Sequence, residues 1–118
     1  MNKITVTQTM VDFLTEHDLA DKYFVLVVEE DEANPIDPIY SLLFADEPDA
    51  DYVDQLDNEA GVKLATSNFN LRFLGTNIVL DYHNHQIKLA NNTGVLSDNV
   101  RLRSLTDELD EQDNVAKD

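Results

Sequence analysis

The 118-residue sequence has no cysteine and no tryptophan, three glycines, three prolines, and eight Lys and Arg side chains against 24 Asp and Glu. Without cysteine there is no disulfide framework, no thiolate metal ligand and no thiol nucleophile. With so little glycine, no Gly-rich phosphate loop is present. No apolar stretch approaches the roughly 18 residues of a membrane span. The opening residues, Met1-Asn2-Lys3-Ile4-Thr5-Val6-Thr7, lack the apolar centre of a signal peptide. The expectation is a cytoplasmic protein with no membrane partner.

What the chain does have is acid, and it is unevenly placed. The formal net charge is −16. Residues 1–61 hold sixteen carboxylates against Lys3 and Lys22, and residues 107–118 hold six against Lys117. Residues 62–106 hold only Asp81 and Asp98 against Lys63, Arg72, Lys88, Arg101 and Arg103, so this stretch is mildly basic. Self-repulsion argues against direct binding to a nucleic acid. The hydrophobic share of 42% is ordinary for a globular chain, and the length suits one domain. We expect a single globular domain over residues 1–106 and an acidic tail, with a short frayed helix near Leu105, over 107–118.

The clearest pattern lies in Phe69–Leu89. Apolar and polar residues alternate in Phe69-Asn70-Leu71-Arg72-Phe73, in Ile78-Val79-Leu80-Asp81-Tyr82 and in Ile87-Lys88-Leu89. That is the two-residue period of strands with one buried face. Tyr23–Val28 is an unbroken apolar run, short for a helix and right for a strand buried on both faces, and Ile39–Ala45, apolar but for Ser41, is the next strand. They read as a hairpin with an acidic, proline-containing tip. Val6, Met10, Phe13, Leu14 and His17 share one helical face, which predicts a helix from about residue 8. Thr5 with Gln8 and Thr9 with Asp12 compete as its cap, and Lys3–Thr7 could form an edge strand ahead of it. Asp46-Glu47-Pro48 opens a predicted second helix, with Tyr52, Val53, Leu56 and Ala60 on its apolar face and Gly61 as its stop. Short strands are expected at Val62–Ala65 and Val100–Arg103. The expected class is α+β, an antiparallel sheet of about five to six strands with an N-terminal helix and a second acidic helix packed on one face.

Few residues carry chemistry. His83 and His85 stand two apart and would share a face of a regular strand, where both could reach one metal. No third ligand is fixed by spacing, and we read the pair as a polar hairpin turn that happens to contain histidine. The Asp46–Glu59 stretch fails the EF-hand pattern, because Val53 occupies a ligand position and Asp54 the place of the glycine. Asp81 is the one acid in an apolar setting, and an outward strand position paired with Lys88 or Arg72 explains it. Ser41 has no glycine-bounded elbow around it.

These observations lead to a small acidic cytosolic protein, not an enzyme, that acts by protein–protein interaction or regulation. The alternative is an acidic decoy or inhibitor (a nucleic-acid mimic, immunity protein or antitoxin) that docks on a basic protein partner. The contacting residues would be Glu29, Glu30, Asp31, Glu32, Asp46, Glu47, Asp49, Asp51, Asp54 and Asp57. No metal or other cofactor is expected, and two copies pairing across a sheet edge would make a homodimer.

Overall fold

A computed structural model describes residues 2–29 and 38–105. In chain order the elements are β1 (Asn2–Val6), α1 (Gln8–Glu16), β2 (Tyr23–Glu29), β3 (Ile39–Ala45), β4 (Asp54–Asp57), β5 (Lys63–Thr66), α2 (Asn68–Leu74), β6 (Ile78–His83), β7 (Gln86–Asn91), β8 (Gly94–Ser97) and β9 (Arg101–Ser104). The strands form one curled sheet in the order β8-β7-β6-β1-β4-β5-β2-β3-β9. The pairs β1–β4, β1–β6, β2–β5 and β3–β9 are parallel, and β2–β3, β4–β5, β6–β7 and β7–β8 are antiparallel.

The expected antiparallel sheet of five to six strands with two helices on one face is therefore wrong. The sheet has nine strands and is mixed, and the acidic helix does not exist. Residues 46–61 instead form a loop and β4. Asp51, Asp54 and Asp57 would stack like charges three residues apart on a helix. As a strand, Asp54-Gln55-Leu56-Asp57 alternates, with Leu56 1% exposed and Gln55 and Asp57 facing water. The Asp49 carboxylate accepts a hydrogen bond from the Asp51 backbone N–H at 2.8 Å, which holds the preceding loop in a turn.

The N-terminal strand is not an edge. β1 lies between β4 and β6, with its first residues in register with Leu56 and Asp57 and its later ones with Ile78, Val79 and Leu80. Neither expected cap starts α1. Thr7 does, its hydroxyl accepting the Met10 N–H at 3.3 Å. Met10 and Leu14 are buried as the helical spacing requires, and Phe13 packs half-buried beside them. The β2–β3 hairpin and the β6–β7 hairpin form in the expected places. The C-terminal helix expected beyond Leu105 lies outside the described residues.

Phe69–Phe73 is the other correction. It is helical, because Ser67 caps it, accepting the Asn70 N–H at 3.2 Å, and because the sheet needs Asn70 there. β5 runs beside β2 only as far as the Val25–Ala65 pair. Beyond that point side chains replace the missing strand. Thr66 Oγ1 donates to the Leu26 carbonyl at 2.7 Å, Asn70 Nδ2 donates to the same carbonyl at 3.3 Å, and Asn70 Oδ1 accepts from the Val28 N–H at 3.1 Å. Both side chains are buried. α2 ends at Gly75, where φ is +73° and a Cβ would stand 2.7 Å from the Asn91 amide nitrogen, itself bonded to the Leu74 carbonyl.

The main core gathers on the inner face of the curl, around Ile4, Met10, Leu14, Leu26, Leu42, Leu56, Leu80 and Leu89. Val25, Val27 and Leu43 on the outer face form a second, smaller cluster with Tyr52 and Leu105. β2 is thus buried on both faces, as its unbroken apolar run requires.

Replacing Asn70 with alanine leaves the Val28 N–H buried without its acceptor, and we expect a loss of about 2 kcal/mol in urea unfolding. T66V should cost less, because Asn70 still serves the Leu26 carbonyl. The double variant should lose more than the two combined, since that carbonyl then has neither donor.

Candidate functional site

The residues with chemical potential meet where α1 crosses β6. Thr7, the cap of α1, donates from its hydroxyl to Asp81 Oδ1 at 2.5 Å, and Thr9 donates to the same oxygen at 2.8 Å. Asp81 faces Lys88 across the β6–β7 ladder, but its described hydrogen bonds run to the threonines. The Thr7 bond, with further help from Thr9, holds its carboxyl below the usual carboxylate range against the opposing effect of burial. One helix turn on, Phe13 stacks on Tyr82 with ring centroids 4.2 Å apart and leans on His17 at 4.6 Å.

Beside this stack lies an open cleft of about 400 Å³, lined by Thr9, Asp12 and Glu16 on the helix side and by Tyr82, His83 and His85 on the other. Asp12, Glu16, His83 and His85 are exposed. The two histidines flank a tight turn. Asn84 and His85 both have positive φ, +53° and +64°, which is the requirement of a type I′ hairpin turn. Since the turn begins at Asn84, His83 and His85 do not sit on one strand face as a regular alternation would put them.

With no cysteine, the cleft offers no thiolate ligand. Imidazole and carboxylate can bind a divalent metal ion, but among the described residues no three His, Asp or Glu side chains form a group that could hold one.

The acidic residues singled out from the sequence scatter. Glu29 ends β2, and Glu30, Asp31 and Glu32 lie outside the described residues. Asp46 forms an ion pair with Lys22. Asp49 and Asp57 line a different depression, a groove of about 710 Å³ over β2, β4 and β5. The sequence gives no sign that Tyr23, Tyr52 and Val53 share a groove, because Tyr23 reads as part of a buried strand and Tyr52 and Val53 as the apolar face of a helix. Among the described residues no helix is long and apolar enough to cross a membrane.

A family model described as iron–sulphur cluster biosynthesis matches residues 2–104. The chain belongs to the iron–sulphur cluster biosynthesis family. The crystal structure of a candidate Fe–S biosynthesis protein from Lactobacillus acidophilus is similar, at 30% identity and a TM-score of 0.84, covering 96% of this chain and 98% of that one. A second, from Lactobacillus salivarius and described as having a novel fold, aligns at 20% identity and a TM-score of 0.63, over 86% of this chain and 97% of that one. At that identity it speaks to the fold alone. No curated protein matches the chain. Membership in this family overturns both functional expectations, the interaction protein of unassigned role and the acidic decoy or inhibitor. No residue pattern in the sequence pointed to iron–sulphur chemistry, since a chain without cysteine carries no cluster motif.

Two outcomes test the geometry of this family member. Because the folded-state pKa of Asp81 is depressed, its contribution is present above the unfolded value of about 3.9 and is lost as pH falls through the lower folded value. D81A should therefore cost about 1 kcal/mol at neutral pH. That difference should shrink in chemical denaturation as the pH is taken below about 4. H85G relieves a left-handed histidine and should raise stability by up to about 1 kcal/mol, read from the urea midpoint.

Proposed function

We propose that this protein takes part in iron–sulphur cluster biosynthesis in the cytosol, in a step where the thiolate ligands of the cluster belong to another molecule. The observation that carries the reading is the family match across residues 2–104, nearly the whole described chain. The 30% identical Lactobacillus acidophilus relative, aligned almost end to end, supports it. The absence of cysteine supports the second half of the statement, because the cluster is cargo for which this chain has no thiolate ligand. A reducing compartment is where thiolates that receive clusters persist, which supports the cytosolic location. The reading gives the chain no catalytic step of its own, and Ser41, the hydroxyl inside an apolar run, is fully buried.

Deletion of the gene tests the role. Activities of iron–sulphur enzymes, each normalised to its polypeptide level, should fall under iron limitation and return with a plasmid copy. Unchanged activities would remove the proposal. After anaerobic incubation of the purified chain with ferrous iron and sulphide, gel filtration should leave neither iron nor sulphide with the protein. Stoichiometric iron and sulphide co-eluting with the chain alone would refute the thiolate-free half.

A further inference from the structure

The groove over β2, β4 and β5 is the part of the surface least like an ordinary solvated face. Its floor is the outer face of the sheet, where Tyr23 and Val25 of β2 stand in register with Lys63 and Ala65 of β5. Its wall is the loop before β4, which contributes Pro48, Tyr52 and Val53. Val53 is 72% exposed, more than any other large apolar side chain among the described residues. The groove exists because β4 leaves β5. The two strands pair only at Asp54–Thr66 and Gln55–Ala65, after which β4 turns to β1. Asn58 braces the gap from its closed end, bonding the Val62 N–H and the Leu56 and Val62 carbonyls at 2.9–3.1 Å.

The rim is acidic. Asp49 and Asp57 are among the lining residues, and Asp46, Glu47, Asp51 and Asp54 belong to the same loop and strand. The one cation in the lining, Lys63, is engaged on the floor, its ammonium 4.7 Å from the Tyr23 ring centroid and donating to the Asp21 carbonyl at 3.4 Å. A second copy of this chain, with net charge −16, would bring acid to acid. A nucleic acid is disfavoured for the same reason.

We propose that this groove receives a short segment of a protein partner, one with an aliphatic or aromatic anchor flanked by lysine or arginine. The anchor lies against Val53, Tyr52 and Ala65, and the flanking cations face Asp49 and Asp57. The assignment deepens the proposed role by giving the chain a place to hold a partner of cluster assembly.

The test titrates the isotopically labelled full chain with a synthetic peptide bearing a Leu-Phe core between lysines. Saturable binding is expected, with backbone NMR shifts centred on Tyr52, Val53, Lys63 and Ala65. V53S, at a water-facing position, should keep the thermal unfolding curve and weaken binding about tenfold, or about 1.4 kcal/mol. D49N keeps the side-chain oxygen that accepts the Asp51 N–H and should reduce the salt dependence of binding. The proposal is overturned if saturable binding is absent, if V53S binds as the native chain does, or if a lysine peptide with a Ser-Gly core binds equally. Since the titration reports on the purified chain alone, its failure leaves the role in cluster biosynthesis standing. Normal iron–sulphur enzyme activity in the deletion strain likewise leaves the groove standing.

Discussion

A buried strand must satisfy every backbone N–H and carbonyl along both sides, and β2 meets this demand in two ways. Over Tyr23–Val25 its neighbour is β5. At Leu26 and Val28 the neighbour is a pair of side chains, Thr66 and Asn70, whose hydrogen bonds substitute for a strand. An unpaired amide or carbonyl here would cost about 1–3 kcal/mol. Much of the architecture follows from this substitution. Asn70 can reach Leu26 and Val28 because α2 is laid down directly after β5. The chain then leaves α2 at Gly75, where a positive φ favours glycine and a Cβ would push on the Asn91 amide, and enters β6 against β1.

How far the sequence anticipated this varies with the range of the forces involved. β2 and β3 were readable because burial on both faces needs an apolar run, unbroken in β2 and interrupted only by Ser41 in β3. β6 and β7 were readable because five register pairs join segments that alternate around a short turn. α2 was not, since Phe69–Phe73 offers only five residues of alternation, too few to separate a strand from one and a half helical turns. What decides it is Asn70, whose partners lie over forty residues away. β4 failed for a related reason. Aspartates at every third position suggested a polar helix face, whereas one buried leucine between exposed neighbours was the stronger constraint. Parallel pairings such as Ile4 with Ile78 leave no local trace at all. Of the candidate site, Asp81 and the histidines were noticed, but the two threonines that hold Asp81 were not, because they come from the far end of the chain.

The charge asymmetry of the sequence takes a different meaning in three dimensions. The acid of the first half is not spread over the outside of a helix. Part of it borders an apolar depression that opens where two strands separate. Among the described residues, the exposed His83, His85, Asp12 and Glu16 share an open cleft but form no group that could hold a metal ion.

The position of β1 also bears on the rate at which the molecule can assemble. Its hydrogen-bonding partners are Leu56 and Asp57 on one side and Ile78–Leu80 on the other. Its first partner is thus about fifty residues away in sequence and its second more than seventy. Contacts this distant in sequence slow the search for the native state. The β2–β3 and β6–β7 hairpins join segments that are close in sequence, whereas β1 is held between two strands that lie about fifty and seventy residues further along the chain.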